Sequence, residues 1–415
     1  MNESPAKTPS PILHRAAWIV PVTSPPIPDG AVLVQGGRIL ATGPFNQIRN
    51  ECPAGTRLED HGDAAVIPAL VNAHTHLELS AFKGAIAFPR EGFPDWLGAF
   101  LSLRSDTPPE AIAEGLRLGD RELPDCGTAL CGDITNTVPA AGASESALPE
   151  KQVFFELLGF HCKSIAEAVP AGLESLADSP RLAMVPHSVY SVSPEVIREA
   201  KAGTRARGLP FSIHTAEHRE EMEFLEKGTG FCRDLLEKLG RWNPGWTAPG
   251  TTPVRYLDAL GVLDRNTILV HAVHMTEPDW ETAAKRGCTI CFCPRSNRNL
   301  NAGRPDLEKA LSLGIPAALG TDSLASNTDL DLFREAAFVM ENYPAIRPES
   351  ILEMITRNPA GALGRTADFG SIDPGGKAAL LAVRVEPGLK TSGLVAALLH
   401  FGSKGNWKWV NPAQN

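Results

Sequence analysis

Eight short apolar runs, separated by longer stretches of helical patterning, constrain this chain more than any other feature. They are AAVIPALVNAH, TALCGDI, VFFELLGF, RLAMVPHSV, LPFSIHTAE, TILVHAVH, TICFCPRS and IPAALGTDS. A strand that is apolar throughout, rather than at alternate positions, is buried on both faces, as in a parallel sheet covered by helices. Eight such units over roughly three hundred residues predict an α/β protein with a (β/α)8 TIM-type barrel.

The ends of the chain read differently. Residues 1–66 contain AAWIVPV, AVLVQGG and RILATG, short strands with a hairpin turn expected at Gly36-Gly37. From about residue 366, SIDPGGKAALLAV gives a turn and another short strand. The predicted organisation is a barrel over 67–365, with 1–66 and 366–415 as the two parts of a small satellite β-sandwich.

Composition narrows the function classes. With 415 residues, 43 % hydrophobic and 21 % charged, the chain has the balance of a globular domain. No apolar run is long enough to span a bilayer, and the N-terminus MNESPAKTPSPILHR is polar and lacks an apolar leader core. The expected location is cytoplasmic, with no membrane partner. A formal net charge of −9 argues against a nucleic-acid partner, because phosphate-backbone binders carry basic surfaces. Among the eight cysteines, Cys288, Cys291 and Cys293 could resemble a metal knuckle. On a strand, however, Cys288 and Cys291 face opposite sides, so buried small apolar residues are the better reading.

The polar residues choose one end of the runs. His74 and His76, His187, His214 with Glu217, His271 with His274, and Asp322 all stand at the C-terminal ends. In such barrels that rim carries the chemistry. His-x-His on a strand puts two imidazoles on one face, where they can share a metal ion. His74-Thr-His76 alone is equally compatible with one bonded and one exposed histidine. With His214 and Asp322 it offers three nitrogens and a carboxylate oxygen, a donor set suited to one divalent ion, zinc foremost and iron as the alternative.

VIPALVNAHTHLELS, SIHTAEHREE, ILVHAVH, CPRSNRNL and LGTDS resemble the amidohydrolase superfamily, in its cytosine-, guanine- and adenosine-type deaminase branch. The resemblance implies His74, His76, His214 and Asp322 as metal ligands. It implies Glu217 as the acid that protonates a ring nitrogen, His271 as the group that orients water and bonds the developing oxyanion, and Asp322 as acceptor of the water proton. Relatives with two metals bridge them with a lysine after the fourth strand. RLAMVPHSV has His187 there instead, which favours one metal. Ala379 departs from the usual Asp in the C-terminal PGGKAALLAV, far from the chemistry. His274 is expected in a supporting role, and His218, followed by Arg219-Glu220-Glu221, on a solvated helix face.

HTHLELS, FPDWL (with Trp96) and WIVPVTSPPIPDGAVLV are similar, more narrowly, to aminofutalosine deaminases, which remove the 6-amino group of an adenine-like nucleoside on the futalosine route to menaquinone. The implied partner is a small nucleoside-like substrate, with a homodimer also possible. Glu78, His187, Trp96 and Arg295 are its candidate contacts, with Asn297 and Arg298, which follow the same strand onto the rim, as further candidates for its distal part; a surface role is equally open for Arg298. Glu78 faces the pocket if the first strand continues, and Arg295 would suit a carboxylate. The RWNPGWTAPGTTP loop offers Trp242 and Trp246 either for stacking on a flat ring or for packing the loop. Two alternatives remain open: another amidohydrolase acting on guanine, S-adenosylhomocysteine or a triazine, and a non-catalytic scaffold of the same fold.

Overall fold

The computed structural model describes residues 9–88, 92–137, 148–170 and 182–410. The eight apolar runs become eight parallel strands: β6 (Leu70–Thr75), β7 (Thr128–Thr135), β8 (Glu150–Leu157), β9 (Leu182–Pro186), β10 (Phe211–Thr215), β11 (Thr267–His271), β12 (Thr289–Phe292) and β13 (Ala317–Leu319). Regular ladders join β6 through β9 and β10 through β13. Single parallel bridges, Ser188 to His214 and Thr75 to Asp322, link the two halves into the barrel. Both bridges lie at the C-terminal ends of the strands. Two of the candidate ligands therefore sit on the seams of the barrel.

The helices between strands follow ordinary amphipathic logic. The helix Pro194–Ala206 starts at Ser193, whose hydroxyl accepts the Val196 N–H, and it buries Val196, Ile197, Ala200 and Thr204 as it packs on β9. Cys288, Cys291 and Cys293 are fully buried, and all eight cysteines are free. This agrees with their reading as small core residues.

The two chain ends meet in one seven-stranded sheet. Its strands are β1 (Ile12–Ile19), β2 (Ile27–Gln35), β3 (Arg38–Pro44), β4 (Arg57–Asp60), β5 (Ala64–Pro68), β14 (Leu380–Arg384) and β15 (Trp407–Trp409). β14 pairs antiparallel with β5, tying the C-terminal segment to the residues that lead directly into β6. Gly36 and Gly37, both in the left-handed region at φ 57° and 74°, form the two-residue turn between β2 and β3. Among the described residues no helix is long and apolar enough to cross a membrane.

Candidate active site

β6 ends inside the barrel mouth with His74 fully buried and His76 nearly so. Their Nε2 atoms lie 3.2 Å apart. β13 approaches this point closely. A Cβ at Gly320 would come within 2.8 Å of the His74 carbonyl oxygen, so only glycine permits the contact. The seam is sewn by Asn72, which donates to the Thr321 hydroxyl at 2.7 Å, and by the Asp322 N–H, which donates to the His74 carbonyl at 3.1 Å.

Asp322 follows in the left-handed region at φ 59°, as does His271 at φ 74°. Such conformations cost a non-glycine residue about 1–3 kcal/mol and persist where surrounding structure imposes them. Here they turn both side chains into the mouth. Asp322 Oδ2 accepts from Ser296 Oγ at 2.6 Å and Ser326 Oγ at 2.8 Å. Oδ1 faces the histidines instead, 3.8 Å from His74 Nε2 and 3.7 Å from His76 Nε2. His214, from β10, donates through Nδ1 to the His187 carbonyl at 3.0 Å, which leaves the Nε2 lone pair for the cluster. Ligand atoms of His74, His76 and His214 all fall within 4.8 Å of one another.

The protonation states suit a cation. Burial, reinforced by neighbouring histidines, holds His74 and His214 well below the usual imidazole range, so both are neutral at pH 7. Burial alone would raise the Asp322 carboxyl, but His271, His76, His74 and the Ser296 hydroxyl bring it down to about 2. Neutral imidazole nitrogens and a carboxylate oxygen, buried together with few donors among them, form a set that a divalent cation would complete. His74, His76, His214 and Asp322 are the residues that could hold it.

Glu217 and His271 stand beside this cluster. Burial, then the carboxylates of Asp322 and Glu221, push the Glu217 carboxyl well above its ordinary range, in the direction that favours its protonated form. Burial lowers His271 to about 4, making it neutral. Asn297 Nδ2 donates to His271 Nδ1 at 3.0 Å, which leaves the ring hydrogen on Nε2, 3.5 Å from Glu217 Oε1.

Glu221 was not singled out from sequence, yet it is completely buried, and Oε2 accepts the Glu217 N–H at 2.9 Å. A further bond to the Ala216 backbone places its carboxylate behind the turn that presents Glu217. Ala216 itself has φ 51°. Glu221 is thus a positioning residue. Glu221→Ala is expected to lower kcat by about 100-fold, with KM within a few-fold, because small misplacements of a reacting group are costly. Glu221→Gln, which keeps an acceptor, should recover most of the loss. Equal kcat in folded Glu221→Ala protein would reduce Glu221 to a packing role.

The other candidate residues separate into two groups. Glu78, His187 and Trp96 line one cleft with His76, His214, Glu217, His271 and Asp322. β6 does not continue to Glu78; a 3₁₀ turn, Leu77–Phe82, carries it into the cleft. Its Oε2 accepts from Thr135 Oγ1 at 2.8 Å and Thr137 Oγ1 at 2.6 Å, and Oε1 meets Arg104 Nη2 at 3.2 Å. Burial pulls the His187 imidazole down, but Glu156, whose Oε1 lies 2.7 Å from Nδ1, together with Glu221 and Asp322, leaves it raised above its ordinary range. Trp96 Nε1 donates to the Ala325 carbonyl at 3.1 Å, and its ring stacks on Phe100.

Arg295 is not brought to this cleft. Its guanidinium forms a two-pronged bond to Asp329 at 2.7 and 2.8 Å and another to Thr328 at 2.7 Å, which uses it to pin the segment after β13. His218 is also not on a solvated face. It is 1 % exposed, caps the helix Arg219–Lys227 by accepting the Glu221 N–H, and stacks on Phe93 at 4.0 Å. The charged residues after it misled the reading, because a cap residue precedes the solvent face. His274 bonds the Ala302 carbonyl at 2.8 Å. Trp242 and Trp246 stack on Phe160 and Phe224 and so pack their loop. Asn297, expected with Arg295 to read the distal part of the substrate, instead bonds His271. Glu156, Ser296 and Ser326 were missed; only Glu156, a charge inside the apolar run VFFELLGF, left a visible signal.

The family model described as amidohydrolase family matches residues 65–407, and one for an imidazolonepropionase-like composite domain of bacteria matches residues 30–50. An aminodeoxyfutalosine deaminase of Deinococcus radiodurans is 31 % identical over 362 residues, 82 % of this chain and 82 % of that protein. A 5-methylthioadenosine/S-adenosylhomocysteine deaminase of Nitratidesulfovibrio vulgaris is 29 % identical over 88 % of this chain and 82 % of its own length. Among solved structures, a zinc-bound adenosine deaminase from Xanthomonas campestris superposes with TM-score 0.75 at 25 % identity, covering 93 % of this chain and 89 % of that one. The Helicobacter pylori aminofutalosine deaminase with methylthio-coformycin has the same fold, with TM-score 0.80 at 22 % identity over 94 % and 96 % of the two chains.

Proposed function

Since the chain belongs to the amidohydrolase family, we propose that it removes the amino group of an adenine-type nucleoside by hydrolysis, with aminodeoxyfutalosine, in menaquinone biosynthesis, as its substrate. It is a hydrolase of carbon–nitrogen bonds other than peptide bonds. The observation that carries the deaminase reading is a buried carboxyl, Glu217, with Oε1 3.5 Å from His271 Nε2, beside the His74–His76–His214–Asp322 cluster in one cleft.

Those four residues would hold one divalent cation, for which zinc is the proposed identity; when bound, such an ion lowers the pKa of water enough for attack near neutral pH. Asp322 Oδ1 takes the proton of the attacking water, since Oδ2 is already engaged by Ser296 and Ser326. Glu217 delivers its proton to the ring nitrogen next to the carbon under attack, so negative charge does not accumulate on the ring. His271 holds the attacking oxygen through Nε2–H, the tautomer that Asn297 imposes. Asp322 returns its proton to the exocyclic nitrogen, the carbon–nitrogen bond breaks to release ammonia, and the hydroxyl proton left on the product carbon's oxygen restores Glu217 as the C=O forms. Glu78, His187 and Trp96 are proposed to contact the nucleoside.

The test is ammonia release from a panel: aminodeoxyfutalosine, adenosine, 5-methylthioadenosine, S-adenosylhomocysteine, guanine and an aminotriazine. The expected order puts aminodeoxyfutalosine first in kcat/KM. Metal analysis of the same sample should find about one ion per chain. Chelation should abolish the activity, and added zinc should restore it. Preference for S-adenosylhomocysteine or 5-methylthioadenosine would move the assignment to the second relative's activity. Preference for guanine or the triazine would overturn the nucleoside reading.

A further inference from the structure

Two stretches of chain deliver the groups that hold Asp322 and His271. The short helix Pro294–Asn299, after β12, supplies Ser296 to Asp322 and Asn297 to His271. The turns after β13 supply Asp322 itself and its second serine, Ser326. The ladder between β12 and β13 ends at Phe292 and Leu319, before either stretch begins, so it does not set their spacing.

One side chain reaches both. Glu335 lies in the first turn of the helix Leu332–Asn342 and is completely buried. Its Oε2 accepts the Arg295 N–H at 3.3 Å. Its Oε1 accepts from Asn327 Nδ2 at 2.8 Å and meets Arg295 Nη1 at 3.5 Å. The same Asn327 amide donates to the carbonyl of Thr321 at 2.9 Å, the residue immediately before Asp322. One carboxyl group thus takes donors from the residue before Ser296 and from the residue after Ser326. Burying such a group costs free energy that an apolar side chain of similar volume would not incur.

We propose that Glu335 is a positioning residue for the metal site: it clamps Arg295 to Asn327, so that Ser296 and Ser326 hold Asp322 Oδ2 and leave Oδ1 turned to His74 and His76. Asp322 needs such support because it stands at φ 59°, a conformation that its surroundings must impose. The clamp acts on a carboxylate it does not touch. This rests on the reading above that His74, His76, His214 and Asp322 hold a divalent cation, and adds the part of the fold that tunes their affinity.

Zinc affinity of the full chain, measured by competition with a chelator of known strength, tests this without any substrate. Glu335→Gln keeps the volume but offers one acceptor oxygen to two sets of donors. It should weaken zinc binding by about tenfold, the lower end of what groups orienting a metal ligand contribute. Asn327→Ala, which cuts the clamp on its other side, should give a similar loss. In a Ser296→Ala/Ser326→Ala background, which lacks the groups the clamp places, Glu335→Gln should cost less than about twofold. A purely structural role would lower the Tm and leave the zinc affinity of the folded protein unchanged. Unchanged affinity in folded Glu335→Gln and Asn327→Ala, or an undiminished loss in the background without the two serines, would overturn the clamp and leave the metal site standing. A parent chain that takes up no zinc, or whose zinc affinity is indifferent to Asp322→Asn, would refute the metal reading and the clamp together.

Discussion

Asp322→Asn is expected to lower kcat by about 10³- to 10⁴-fold. The carboxylate has two proposed duties, ligand and proton acceptor, and an amide performs the second not at all. Its own environment shows why a charge is built there. Two serine hydroxyls bond Oδ2, and the group lies among three histidines that hold it at about 2, so it is ionised at any pH where the fold is used. The asparagine side chain has the same shape and can keep a serine bond, so the loss should appear in turnover rather than in folding. Steady-state kinetics with metal analysis of the variant measures this. Activity within tenfold of the parent would remove Asp322 from the chemistry.

The second large effect is expected at Glu217. Glu217→Gln keeps the size and hydrogen-bonding capacity of the side chain and deletes only its transferable proton. We expect kcat to fall by about 10³-fold, with metal content unchanged and KM within a few-fold. The pH profile gives an independent reading. Burial and neighbouring carboxylates raise the Glu217 pKa, so the group is a competent acid below that pKa and loses its proton as pH climbs through it. The parent should therefore lose kcat on the alkaline side. That decline should be absent from the residual activity of Glu217→Gln. A glutamine variant with the same alkaline decline, or with near-parental kcat, would exclude the acid role.

How much of this was legible in the sequence differs from residue to residue. The strands read clearly, because continuous burial on both faces demands an unbroken apolar run, and a polar residue at its end stands out. His74, His76, His214, His271 and Asp322 were all located this way. Glu217 was visible for a related reason, three residues past a strand end. Ser296 and Ser326 carry no such mark, and Asn297 was legible only as a rim residue. Their value lies in which atom of Asp322 or His271 they bond, and contacts spanning 26 or 30 positions are set by the closing of the barrel.

The arginines make the same point more sharply. Arg295 follows a strand onto the rim, where an arginine would suit a carboxylate, yet Asp329 occupies its guanidinium. Trp242 and Trp246, open from sequence to stacking on a flat ring, pack against Phe160 and Phe224 instead, while Arg241 beside them lines the cleft.

Periodicity and residue type were enough for the barrel and for the rim on which its polar groups gather, because burial along a strand acts on each segment locally. Which groups touch, which nitrogen keeps its hydrogen and which arginine is engaged are properties of distances across the barrel. Those distances come into being only when β6 meets β13 and β9 meets β10, and the two bridges that close the barrel are the same contacts that bring His74 to Asp322 and His187 to His214.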